Sequence, residues 1–130
     1  GHTMMRNAIL KWLEQAKADF KTANDNITSK NFYASVIFFQ QCAEKSLKAV
    51  YILLEGKTPP KIHDLVELGR RVGAPEDILA KAAKLTVTYF TSRYPDAAPE
   101  IPVRYYTKEK AEEHKKEAEV ILEWVEHQIK

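Results

Sequence analysis

The sequence predicts an all-α protein: an up-and-down antiparallel four-helix bundle with one short additional helix. Three observations carry this. Apolar residues recur at spacings of three and four over long stretches, as one face of a helix demands. Glycines number only four and runs of β-branched residues are few, which argues against a sheet. The interruptions are short and hold cap or turn residues, apart from one longer segment from Thr91 to Tyr106.

The first helix is predicted over Met5 to Ser29, where Ile9, Leu13, Ala16, Phe20, Ala23 and Ile27 keep a 4-3-4-3-4 rhythm. Asn31 stands where an N-cap for the second helix belongs. That helix places Tyr33, Val36, Ala43, Leu47, Val50 and Leu54 on one face and stops at Gly56, a natural left-handed exit. Gln40 occupies a seam position that calls for an apolar residue, so it needs a polar partner. Pro59-Pro60 then forces extended chain. A short helix is predicted over Asp64 to Val72, burying Leu65, Leu68 and Val72 and ending at Gly73. Pro75 fits a first helical position, with Glu76 and Asp77 placing negative charge on the N-terminus of a fourth helix. Its stripe is Ile78, Ala82, Leu85 and Tyr89. Three of the six prolines fall in the irregular segment that follows. Thr107 caps the last helix, whose buried stripe is Ala111, Ala118, Leu122, Val125 and Ile129. Glu112, Glu113, Lys115, Lys116 and Glu119 read as its solvated face.

Bulk properties bound the function. With 130 residues the chain has the size of one domain and needs no staple to bury a core. Gly1 to Met4 read as a cloning remnant and start, leaving residues 5–130 as a single helical domain. Twenty basic residues against 18 acidic ones give +2, so any nucleic-acid contact must rest on a local cluster. The lone Cys42 excludes an internal disulfide and fits a reducing compartment. No apolar run has the roughly 20 residues a membrane span requires, and no signal peptide is visible, so a cytoplasmic protein is expected.

Several clusters hold reactive side chains, and for most the structural reading comes first. Glu44 and Lys48 form an i,i+4 pair with Gln40 one turn before; they are either a helix-surface pair or one wall of a polar cleft. His63, Asp64 and Glu67 have too few companions for a metal site, and His63 reads as a brace of the third helix. His114 and His127 fall on the polar side of the last helix. Lys57, Lys61, Arg70, Arg71 and Arg104 are scattered over three segments and read as ordinary surface. Trp12 and Trp124 lie near helical seams, as core or dimer contacts do. Gly56-Lys57-Thr58 is no phosphate loop, because Pro59 and Pro60 prevent the helix that should follow.

The second helix, with Phe38-Phe39-Gln40-Gln41-Cys42-Ala43-Glu44-Lys45-Ser46-Leu47-Lys48-Ala49, then Gly56, then His63-Asp64-Leu65 and Leu68, resembles the HEPN family of small prokaryotic and archaeal helical proteins. The Arg93-Tyr94-Pro95-Asp96 loop and the Tyr106 to Ala111 start of the last helix extend the likeness over nearly all the chain from Leu10 onward. The resemblance implies an up-and-down bundle, a homodimer, and a link to nucleotides or RNA. It also implies a nucleotidyltransferase partner in a toxin–antitoxin pair. HEPN ribonucleases carry an Arg followed roughly four to six residues later by a His, a cation and a general base for attack by the 2′-hydroxyl. Here Arg93 is present, but Ala97, Ala98 and Pro99 stand in the place of that His.

The expected function is therefore a nucleotide- or RNA-binding module acting as a homodimer, with catalytic residues unassigned and no metal or cofactor. The candidate ligand-binding residues are Arg93 as a fork for phosphate, Tyr94 as a stacking face, Asp96 as an orienting carboxylate, and Gln40, Glu44 and Lys48 as the facing wall. Two alternatives stand beside it. One is a metal-independent ribonuclease using Asp96 or His63 as its base; the other is a pure interaction scaffold.

Overall fold

The computed structural model describes residues 2–130; Gly1, assigned above to the cloning remnant, lies outside them. Helix α1 (His2–Thr28) and helix α2 (Phe32–Glu55) form an antiparallel hairpin, turned by Lys30 in the left-handed region at φ 66°. Asn31 precedes α2 but makes no side-chain cap; its amide donates to Ser29 Oγ instead, at 3.2 Å. Gly56 ends α2 at φ 64°, its N–H returning to the Ile52 carbonyl at 2.8 Å as a left-handed exit requires.

Helix α3 (Leu65–Arg71) is capped by Asp64, whose carboxylate accepts from the N–H groups of Val66 and Glu67 at 2.9 and 3.2 Å. Helix α4 (Glu76–Thr86) begins after Pro75, which stands one position earlier than the sequence suggested, at the N-cap. The predicted fourth helix does not run unbroken to Tyr89: α4 ends at Thr86, and Thr88–Thr91 forms a separate single turn, α5. Inside the segment expected to be irregular, Pro102–Tyr105 makes another turn, α6, opened by proline at its first position. Helix α7 (Lys108–Ile129) closes the bundle, with Thr107 Oγ1 accepting from Lys110 N–H at 3.3 Å.

The four long helices run up, down, up and down. The start of α1 meets the end of α7, where Arg6 Nη1 donates to the Ile129 carbonyl at 3.3 Å, and the end of α4 lies by the start of α7. One main core links all of them, built from most of the predicted seams of α1, α2 and α7 with Phe39, Leu65, Leu68, Leu85 and Ile121, while Val36 and Ala111 form a smaller cluster with Tyr106. The seams fade at their ends: Tyr33 and Leu54 are exposed although they continue the α2 stripe. Among the described residues no helix is long and apolar enough to cross a membrane.

Candidate functional site

Gln40, Glu44 and Lys48 succeed one another along one face of α2, and all three are largely shielded from solvent. Glu44 is the hub. Gln40 Nε2 donates to its Oε1 at 3.0 Å and Lys48 Nζ to its Oε2 at 3.0 Å. The loop after Pro60 then returns across α2 and brings His63 Nδ1 to 3.1 Å from both carboxylate oxygens. Burial pushes the Glu44 carboxyl up, but hydrogen bonds from Lys48, Gln40 and His63, with the Lys48 charge, outweigh it and hold the group below its ordinary value. Glu44 is thus an anion in place, braced on three sides. Gln40 Oε1 remains buried without a hydrogen-bond partner.

The opposite wall comes from α5 and the residues just after it. The Tyr89 ring stacks on the His63 imidazole, centroids 4.3 Å apart and planes 13° from parallel. Arg93 lays its guanidinium over the same Tyr89 ring at 4.2 Å and donates from Nη1 to the Tyr89 carbonyl at 3.0 Å. Gln41, Glu44, Lys45, His63, Tyr89 and Arg93 together line a cleft of about 200 Å³. Lys45 is fixed there by Asp19 of α1 at 2.6 Å, and Asp19 is steadied in turn by Gln15 at 2.9 Å.

Of the residues named from sequence, Arg93 and Glu44 line this cleft, and Gln40 and Lys48 support it from behind Glu44. Tyr94 and Asp96 do not join them. Tyr94 is half exposed and stacks on Phe90 at 6.3 Å, and Asp96 is exposed, so neither lines the cleft. Arg93 forms no pair with Asp96; its guanidinium goes to Tyr89 instead. The scattered cations stay apart as well, Arg71 pairing with Glu67 and Arg104 with Glu100.

Two site residues are missing from the expected ligand-binding set, although His63 is named as a base for the alternative ribonuclease. His63 looked like a brace for α3, but that cap belongs to Asp64, which frees the imidazole to turn back onto α2. Tyr89 looked like a core residue of the fourth helix; it lies in the separate turn after Thr86 and lines the cleft instead. The signal available was chemical: a His just before a capping Asp, in a loop long enough to reach the Glu44 face. A second polar cluster was also missed. His114 Nδ1 lies 2.6 Å from Glu117 and Nε2 lies 2.9 Å from Thr88 Oγ1, under a cleft between α5 and α7. Among the described residues no group of three or more His, Cys, Asp or Glu is placed to hold a metal ion.

Comparison with known proteins agrees with the architecture. The family model described as "HEPN domain" matches residues 9–128. The chain is similar to TT1696 from Thermus thermophilus, with 31% identity and a TM-score of 0.86, covering 94% of this chain and 98% of that one. It is also similar to ST0689, described as an archaeal HEPN homologue, with 33% identity, a TM-score of 0.80 and the same coverage of 94% and 98%. No curated protein matches it.

Proposed function

The chain belongs to the HEPN domain family, and from that premise we propose that it is a nucleotide- or RNA-binding module whose ligand site is the cleft between α2 and α5. The observation that carries this is the convergence of an Arg93 guanidinium, a His63 imidazole and an ionised Glu44 around the Tyr89 ring. Arg93 supplies the planar fork suited to a phosphate, and its backbone bond to Tyr89 leaves other donors of that fork for a ligand. Lys45 adds a second cation on the same rim. The module acts as a homodimer beside a nucleotidyltransferase subunit, as part of a toxin–antitoxin pair. The exposed side chains of Val87, Phe90 and Tyr94 give the second copy an apolar face to cover. Titration of ATP and of fluorescein-labelled hexauridylate against the wild type and Arg93→Ala tests the site. At least a tenfold loss of affinity is expected, and equal binding by both proteins overturns the proposal. Light scattering after gel filtration reads the dimer, and co-purification with a neighbouring nucleotidyltransferase reads the partner.

One observation favours a second reading, a metal-independent ribonuclease. Glu44 holds His63 by Nδ1, which turns Nε2 away from the carboxylate as an oriented proton acceptor, and Arg93 shares the ring on which that imidazole stacks. In this reading His63 takes the proton of a ribose 2′-hydroxyl, the oxygen attacks the adjacent phosphorus, and the P–O5′ bond breaks as the 5′-oxygen takes a proton from water, giving a 2′,3′-cyclic phosphate and a 5′-hydroxyl. Arg93 stabilises the charge that builds on the phosphoryl oxygens. Cyclic-phosphate ends that vanish in both His63→Gln and Arg93→Ala support it. RNA left intact under excess protein rules it out.

A further inference from the structure

The Arg93 cleft does not end at Lys45. That side chain also lines a second cleft, of about 280 Å³, shared with Lys11, Trp12 and Gln15 of α1. Lys45 lines both, its ammonium held to Asp19 of α1 at 2.6 Å. The clefts adjoin across the Lys45 side chain, with Trp12 and Lys11 lining one and Tyr89 and Arg93 the other. Trp12 is half-buried, its inner side packed on the core and its outer side lining its cleft.

We propose that the two clefts together take a single-stranded oligonucleotide of at least two nucleotides, with Trp12 as the platform for a second base. The proposal rests on the Arg93 cleft as the ligand site and extends it across α2. Its chemistry follows from the lining. Tyr89 already carries His63 and Arg93 on its ring, so the stacking face on offer is Trp12; an aromatic face beside cations that hold the backbone is what single strands bind, whatever their sequence. The charges favour a polyanion. Lys45 pairs with Asp19 and Lys48 with Glu44, so the surplus is the two positive charges of Lys11 and Arg93, for which no ion pair is found among the described residues. A mononucleotide placed with its phosphate on Arg93 fills only the smaller end. The next phosphate along the strand falls to Lys45, and the next base to Trp12.

The test compares a mononucleotide, UMP, with hexauridylate on the full chain. Trp124→Phe serves as background, so that the remaining emission comes from Trp12. Hexauridylate is expected to quench that emission and UMP to leave it unchanged. Trp12→Leu is expected to weaken hexauridylate about tenfold with UMP affinity unaltered, in line with the stacking contribution of one base. Trp12→Phe keeps a ring and restores most of the affinity. Lys11→Glu, at an exposed position that leaves folding intact, is expected to weaken the oligonucleotide and to flatten the salt dependence of its binding. Hexauridylate that binds through Arg93 with no Trp12 quenching, and equally to Trp12→Leu and Lys11→Glu, overturns the extension and leaves the Arg93 site standing. Failure of both UMP and hexauridylate to bind overturns the site and its extension together.

Discussion

His63 Nδ1 stands 3.1 Å from each carboxylate oxygen of Glu44, a residue 19 positions earlier in the chain, so one hydrogen-bonded contact joins the loop before α3 to the middle of α2. Glu44 also compensates Lys48, which is only 5% exposed. Replacing the carboxylate by alanine strands a buried ammonium, and loss of roughly 3–5 kcal/mol is expected, as for other broken buried pairs. Chemical denaturation of Glu44→Ala and of the Glu44→Ala/Lys48→Met double variant measures this. The double variant should recover much of the loss.

The same residue sets a pH dependence. The Glu44 carboxyl titrates below its ordinary value in the folded chain, so the unfolded chain binds its proton first as pH falls. Its contribution to stability is complete above the unfolded value, roughly pH 4.3, and disappears as pH drops through the lower folded value. Unfolding midpoints between neutral and acidic pH should therefore fall more steeply for the wild type than for Glu44→Gln. Parallel curves for the two proteins would contradict the assignment.

How much of this was legible follows residue by residue. Ile9, Leu13, Ala16 and Ala23 of α1, like Ala111, Ala118, Leu122, Val125 and Ile129 of α7, are buried as their spacing demands, because helical period and burial are the same signal. Gln40 stood out as a polar residue on an apolar seam, and it does take a polar partner, Glu44. His63, Tyr89 and His114 were not legible in the same way. Their partners lie 19 to 26 positions away, and periodicity along one element says nothing about where a loop returns. His114 sits on the nominally polar side of α7, yet α5 folds over it and supplies Thr88.

Cys42 lies fully buried in the core, where burial first and the Asp19 charge second push its thiol up to about 12. A thiol that stays protonated and covered neither attacks nor binds metal. Ellman's reagent should leave it unmodified in the folded protein and titrate one thiol per chain in denaturant. Rapid labelling of the native protein would show that the α1–α2 seam opens.

Leu47 occupies the centre of the α2 seam with no exposed surface. Its truncation to alanine removes buried methyl groups and leaves a cavity among neighbours that relax only in part. A loss of about 2–5 kcal/mol is expected. Leu54, on the same nominal stripe, is 57% exposed and serves as the control, since Leu54→Ala should shift the denaturation midpoint little. Similar losses at both positions would mean that α2 continues to bury its stripe beyond Ile52, contrary to the exposure found there.

The polar cluster on α7 offers the sharpest contrast between breaking a pair and removing it. Glu117 is buried, and among the described residues His114 at 2.6 Å is the one partner its side chain shows; His114 in turn meets Thr88 at 2.9 Å, tying α5 to α7. His114→Leu alone leaves a carboxylate without a hydrogen-bond donor in a shielded position, and should lose roughly 3–5 kcal/mol. Removing both polar groups in His114→Leu/Glu117→Leu eliminates the stranded charge and should recover most of that stability. Because α5 is a single turn that carries Tyr89 and ends two residues before Arg93, it has little helical stability of its own and depends on this tie. Hydrogen exchange at the α5 amides should therefore accelerate in the double variant even though its melting temperature approaches that of the wild type. Unchanged exchange there would assign the order of α5 to the Tyr106–Thr91 contact instead.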